Sequence, residues 1–420
     1  MANAYSNYKK YLVLNMINRF GPISRTGLIE LTDSRPASIG DLTKELIDQK
    51  LILETGQLTK GQGRRRLLLD INRSYICAVS IAFASSTVTY VVSQIDGTVL
   101  KQETLSSPSV IELEEHNWKA VLDHTVSLCR EFADRFIIGI GICDPPYDPA
   151  RYKMSGTVLS GYSHFNDWLH EELKPAIEKE TGIPVSTFSP VTLPALAEKR
   201  FGRAKDSQNF ICVELSNGVG SSFCCNGQVV SGADGVAGEL GHTVINSQDP
   251  TICYCGKPGC VEANTAFPAL VRQIRKSIDD GVFTSISTYH DLSEPITTAD
   301  IRRAVEEGDP MCRHFVRTAA RDIGLAVANT VTLLNSDLVI IYGFMTDLGD
   351  FFLNRLEEAV RENVLVLARN FRIEIAKEHE SIYPLGAAAE LFSDFLKMDE
   401  YSWIYNNTML HPDMDGESLR

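Results

Sequence analysis

The chain has 420 residues, 44% hydrophobic and 22% charged, the make-up of an ordinary globular protein long enough for two or three domains. No apolar run reaches the roughly 20 residues of a membrane span, and the opening MANAYSNYKKYL lacks a signal peptide's apolar core. The expected location is therefore the cytoplasm, where ten scattered cysteines read as small buried side chains apart from any metal cluster, and not as a disulfide framework. The net charge of −14 is unevenly divided: residues 1–74 carry +5 and the remainder −19, so only the head is suited to a polyanion.

In chain order, YKKYLVLNMINR (8–19) places Tyr8, Tyr11, Leu12 and Met16 at helical spacing. GPIS breaks that pattern, and Ser24 is placed to cap a second short helix, RTGLIELT. A third helix is predicted from about Pro36 to Gln49, with proline in its first turn and Ile39, Leu42, Leu46 and Ile47 as its apolar stripe. LILETGQ and RRRLLLDI then alternate like two strands around LTKGQG. Three helices and a β-hairpin are the layout of a winged helix-turn-helix, whose third helix enters the major groove of double-stranded DNA. Its outward positions are Arg35, Ala37, Ser38, Gly40, Asp41 and Lys44, small or hydrogen-bonding groups suited to base edges. Arg64, Arg65 and Arg66, on a glycine-containing loop, suit phosphates or a narrow minor groove.

Past residue 75 the pattern changes. YICAVSIAFASSTVTYVVSQIDGTVL reads as two long strands ending in Asp-Gly, and RFIIGIGI (135–142) as a buried strand. NFICVELSNGVGSSFCCNGQVV (209–230) repeats the two-strand plan. A long helix at roughly 309–335, a strand DLVIIYGF (337–344) and a late helix PLGAAAELFSDFL follow. Two strand-rich lobes, each followed by helices, predict a duplicated α/β fold with a cleft between the lobes.

HTVINSQDPTICYCGKPGCVE (242–262) holds four ligand-type residues, His242, Cys253, Cys255 and Cys260. One histidine and three cysteines fill a tetrahedron without an open position, so the reading is a structural Zn²⁺ clamp and not catalytic zinc. One ring nitrogen of His242 would bind the metal and leave the other to hydrogen bond elsewhere.

GVAGELGH…CYCGKPGCVE (235–262) resembles the signature of the ROK family, a group of repressors, open reading frames and sugar kinases. GIPVSTFSPVTLPALAEKRFG (182–202) and GTVLSGYSHFNDW (156–168) are similar to its sugar-pocket segments, and SRTGLIELT and GRRR to the DNA-binding head of its repressors. The resemblance covers residues about 8–400. It implies an actin-like, hexokinase-like ATPase fold behind an N-terminal winged helix-turn-helix. The expected organisation is a DNA-binding domain at 1–74, a ROK domain at 75–400 and a tail at 401–420. The ROK domain would have lobes at about 75–190 plus the C-terminal helix and at about 191–380. It also implies a sugar pocket containing Glu239, His242 and Glu262, with Ser189 where the family has the asparagine of an Asn-Asp pair.

The same resemblance shows what is missing for phosphate transfer. Pro190 stands at the catalytic aspartate, and a proline cannot accept a proton. Ser80 replaces the phosphate-side aspartate, with Ala82 and Phe83 in place of glycines, and Thr192 replaces a further asparagine. The second glycine turn survives in part as Gly218 and Gly220, and the adenosine-side pair is reduced to Tyr342-Gly343. The expected protein is a transcriptional regulator, most often a repressor in this family, that is not an enzyme. It would act as a homodimer or dimer of dimers on a DNA operator in response to a sugar or sugar phosphate. A sugar kinase with a DNA-binding head, and a regulator controlled by a protein partner such as a sugar transporter, are the alternatives.

Overall fold

The computed structural model describes residues 2–58, 66–84, 87–106, 118–143, 169–233, 235–376 and 381–396. Arg64, Arg65, the segment 156–168 and the tail 401–420 lie outside the described residues.

The head begins with helix α1 (Ala2–Phe20), which buries Leu12, Val13, Met16 and Ile17. Helix α2 (Arg25–Thr32) starts where the Ser24 hydroxyl accepts the Gly27 N–H at 3.1 Å, and it stops at Asp33 in the left-handed region. Helix α3 (Pro36–Asp48) carries proline in its first turn and buries Ile39, Leu42 and Leu46, with Ile47 half-buried. The predicted break at GPIS contains a two-residue strand, β1 (Ile23–Ser24). It pairs with β3 (Arg66–Ile71), which pairs antiparallel with β2 (Ile52–Leu58).

The first large sheet has the order β6-β5-β4-β7-β8, formed by β4 (Ile76–Phe83), β5 (Thr87–Gln94), β6 (Val99–Ser106), β7 (Phe136–Cys143) and β8 (Val185–Phe188). Strands β4 to β6 form an antiparallel meander, while β7 and β8 run parallel to β4. The second sheet has the order β11-β10-β9-β12-β13: β9 (Phe210–Leu215), β10 (Val219–Cys225), β11 (Gln228–Val229), β12 (Leu338–Tyr342) and β13 (Arg372–Ile375). It repeats the first plan strand for strand, antiparallel through β11 and parallel through β13. The expected two-lobed α/β architecture is therefore what forms. The central strands β4, β9 and β12 are almost wholly buried, as continuous apolar runs dictate. Strand β6 was not among the expected elements. It is an edge strand, largely exposed and interrupted by Lys101 and Glu103.

The helix Pro310–Leu334 packs along Asp350–Asn363 over the second sheet, through Val316, Ile323, Val327, Phe352 and Leu356. The last described helix, Ile382–Leu396, returns to the first sheet, and Ala388, Leu391, Phe392 and Leu396 share one hydrophobic core with the head. The Tyr11 ring meets Phe395 edge-on at 6.3 Å. Asn15, 3% exposed, donates its side-chain N–H to the Leu396 carbonyl at 3.0 Å. At the opposite end of that helix, the Tyr383 hydroxyl donates to the Glu214 carboxylate of β9. One helix thus touches the head and the base of the second lobe.

Asn15→Leu leaves the Leu396 carbonyl buried without its donor, which costs about 1–3 kcal/mol. The variant is expected to unfold at lower urea concentration than the wild type, read by circular dichroism. An unchanged midpoint would show that the carbonyl finds another donor.

Candidate metal centre and ligand pocket

His242 ends a one-turn 3-10 helix, Leu240–His242, and Cys253, Cys255 and Cys260 come from the loop that follows. The ligand atoms of all four lie within 4.8 Å of one another. Cys253 Sγ is 3.5 Å from His242 Nδ1, and Cys255 Sγ is 3.5 Å from Cys260 Sγ. Zinc–sulfur bonds of about 2.3 Å span a tetrahedron with edges of this order. The loop is held by short-range pairing. Short β-bridges join Val244 to Cys260 and Ile252 to Pro258, and the Gly256 N–H closes a turn onto the Cys253 carbonyl at 2.9 Å. Burial, together with Lys257, lowers the pKa of the His242 imidazole, favouring the neutral form that binds a metal. Burial pushes the Cys253 thiol up to about 12, so a thiolate there needs a cation at its sulfur. The four residues fit zinc in number, chemistry and spacing.

The metal set is joined to a carboxylate pocket. His242 Nε2 faces Tyr254 Oη at 2.8 Å and the Glu239 carboxylate at 3.9 Å. Glu239 directly precedes the 3-10 turn, and the tight turn brings its carboxylate beside the His242 ring. Cys260 caps the helix Val261–Thr265, whose second residue is Glu262. The Glu262 carboxylate accepts the Val219 N–H at 2.9 Å and also interacts with the Tyr254 hydroxyl. Burial raises the pKa of Glu262, and the Glu239 charge beside it raises it further. Glu239 is half-exposed, and partial burial raises its pKa too.

Two glycines make this approach possible. A Cβ on Gly218 would lie 2.8 Å from Glu262 Oε2, and one on Gly241 would lie 2.4 Å from the Val219 carbonyl and 3.0 Å from Glu262 Cβ. The glycine turn after β9 therefore holds a carboxylate. Its Val219 N–H is taken by the Glu262 carboxylate.

Glu239, His242 and Glu262 are brought together. Ser189 stands exposed at the end of β8 on the other sheet, with no hydrogen bond to these three among the described residues. Pro190 is half-buried in the next turn, and Ser80 is fully buried inside β4, its hydroxyl without a hydrogen-bond partner among the described residues. Tyr342 is buried and Tyr383 half-buried beside Glu214, and burial raises both hydroxyl pKa values. Tyr254 was missed by sequence reasoning. Its only signal is its place between two ligands in Cys-Tyr-Cys, where backbone geometry aims its ring at His242. In the head, Arg35, Ala37, Asp41 and Lys44 are exposed on one side of α3, with Ser38 and Gly40 half-exposed, and Arg66 opens β3.

The two sheets, repeated strand for strand, define a duplicated two-lobed α/β fold. The ROK family model matches residues 79–393, three quarters of the chain, so the chain belongs to the ROK family. It is 30% identical to the xylose repressor of Caldicellulosiruptor bescii over 94% of this chain and 97% of that one. It is 24% identical to the DNA-binding transcriptional dual regulator NagC of Escherichia coli, over 90% of each chain. The crystal structure of a ROK family transcriptional regulator, a homologue of the E. coli Mlc protein, superposes with a TM-score of 0.71 at 25% identity, covering 94% of this chain and 98% of that one. The ROK hexokinase of Thermus thermophilus shares the fold, with a TM-score of 0.59 at 22% identity over 77% of this chain and 99% of that one. No helix among the described residues is long and apolar enough to cross a membrane.

Proposed function

We propose that the chain is a transcriptional repressor of sugar uptake or catabolism genes. Residues 1–74 form a winged helix-turn-helix, and the 75–400 body is a kinase-like fold that senses a sugar or sugar phosphate without phosphorylating it. The observation that carries this reading is the residue at the base position: Pro190 stands where the resemblance puts the proton-accepting aspartate, in a chain whose pocket keeps Glu239, His242 and Glu262 together. It is supported by the relatives, which are named as repressors and regulators over nearly their whole length. In this reading α3 enters the major groove with Arg35, Ala37, Ser38, Gly40, Asp41 and Lys44, and Arg64, Arg65 and Arg66 hold the backbone or minor groove. His242, Cys253, Cys255 and Cys260 hold structural zinc, while Glu239, His242 and Glu262, with Ser189 opposite, take the effector. The effector shifts the population of DNA-binding states through its differential affinity for them.

The test is titration of the protein against its own upstream DNA, read by fluorescence anisotropy at several salt concentrations. Affinity is expected to fall steeply with salt. Replacing Arg64 and Arg65 with alanine is expected to weaken binding to all sequences and to lower the salt slope by about 2. Lys44→Ala or Ser38→Ala is expected instead to change sequence preference, at about 1–3 kcal/mol for the affected base. No binding at low salt rejects the reading. ATP-dependent phosphorylation of a sugar by the purified protein would return it to the kinases.

A further inference from the structure

Helix α3 turns Ile39, Leu42, Thr43 and Leu46 into the core of the head. At about 100° per residue, Asp41 falls opposite that stripe, in the middle of the exposed face. The face around it is bare. Ala37 lies one turn before it, with Ser38 and Gly40 to either side. Glycine is the poorest helix former after proline, and a Cβ at Gly40 would meet nothing within 4 Å. The fold itself therefore does not call for glycine there. Asp41 is exposed and makes no hydrogen bond or ion pair among the described residues. Other carboxylates of the head are answered: Lys10 meets Glu45 at 2.7 Å, and Arg25 meets Glu54 at 3.0 Å. An unanswered carboxylate on the face turned toward DNA is repelled by the phosphates unless a base gives it a hydrogen bond.

We propose that Asp41 sets sequence specificity by accepting a hydrogen bond from the N4 amino group of a cytosine in the major groove. The inference rests on the repressor reading and adds to it a base that α3 reads. Only cytosine and adenine present amino donors in that groove. Adenine sets its N7 acceptor beside the amino group, and that lone pair repels a carboxylate; cytosine has no such acceptor on its edge. Guanine and thymine present acceptors and repel Asp41 outright. The residue thus selects as much by rejecting wrong bases as by binding the right one. Aspartate has a single methylene, so it reaches a base edge only where the helix lies deep in the groove. Ala37, Ser38 and Gly40 leave the room for that approach.

The test is selection of the full chain from random-sequence duplexes, followed by anisotropy titration of the selected site and its single-base variants. The wild type is expected to fix a cytosine within the site. Asp41→Ala is expected to lose preference at that base pair alone, by about 10-fold or more in relative affinity. It is also expected to bind unrelated duplexes more tightly, having lost a negative charge. Asp41→Asn is expected to exchange the cytosine for adenine, because an amide pairs with adenine N6 and N7 together. Asp48→Ala removes another exposed carboxylate of α3, about 10 Å further along the axis, and is expected to leave the selected site unchanged. The substituted side chains are exposed, so circular dichroism should match the wild type. If Asp41→Ala does not fold, Asp41→Asn decides. Variants of Asp41 that select the wild-type site, or that tighten binding to every sequence equally, overturn the proposal and leave the repressor reading standing. A wild type that selects no duplex at low salt overturns both.

Discussion

Cys255→Ser is expected to abolish soluble expression or to leave a second lobe that melts well below the wild type. The four metal ligands bracket a 19-residue stretch, His242–Cys260, that buries little apart from its cysteines and exposes Val244 and Ile252. With few apolar contacts of its own, the loop would depend on a metal held by these four residues for its conformation. Structural zinc contributes about 10–16 kcal/mol to folding in small zinc-binding peptides, comparable with or larger than the whole stability of an ordinary domain. A metal there would also tie together both walls of the proposed pocket, since His242 follows Glu239 and Cys260 starts the helix bearing Glu262. A strong chelator is therefore expected to lower the melting temperature and to abolish effector binding together. Metal analysis should return about one zinc per chain. Purified wild-type protein with no zinc and normal stability would remove the clamp from the account.

What the sequence disclosed depended on how local each feature is. The His/Cys quartet lies within 19 residues, and its spacing alone picks out the four side chains that the fold brings together. The head was equally legible, because Ser24, Pro36 and the stripe of Ile39, Leu42 and Leu46 are short-range signals that packing did not override. Buried strands such as ICAVSIAF and LVIIY announce themselves as apolar runs, whereas the edge strands β6 and β13 do not. VLKQETLS and RIEI carry charges because one edge of each faces water. The link from head to body was not legible at all. Asn15 meets Leu396 across 381 residues, and no local pattern marks an asparagine in α1 as a buried donor to a distant helix end. Likewise, the meeting of Glu262 with the glycine turn at Gly218 depends on how the zinc loop lies against β10.

That meeting leads to the second large effect. In the proposed pocket Glu239 and Glu262 are the two carboxylates placed to accept hydroxyl groups of a sugar, while His242 Nε2 and Tyr254 Oη form a polar wall between them. Charge-assisted hydrogen bonds are worth about 1.5–3 kcal/mol each when the partner is removed. Replacing both carboxylates is therefore expected to weaken a sugar effector by about 10²- to 10⁴-fold, since each 1.4 kcal/mol is tenfold. Glu262→Gln keeps an oxygen that can accept the Val219 N–H, so the turn should hold its shape, and loss of binding would report the charge and not a collapsed loop. Glu239→Gln alters a half-exposed side chain outside the core, and its melting temperature should stay near the wild type. The two single variants and the double variant would be measured by calorimetry, after a thermal-shift screen of sugars and sugar phosphates has identified an effector. Each single variant is expected to bind more weakly, and the double variant more weakly still. An effector that binds the folded, zinc-loaded double variant as tightly as the wild type would place the sensing site elsewhere. Glu239 and Glu262 would then serve only as braces for the zinc loop, holding the Tyr254 hydroxyl and the Val219 N–H in place.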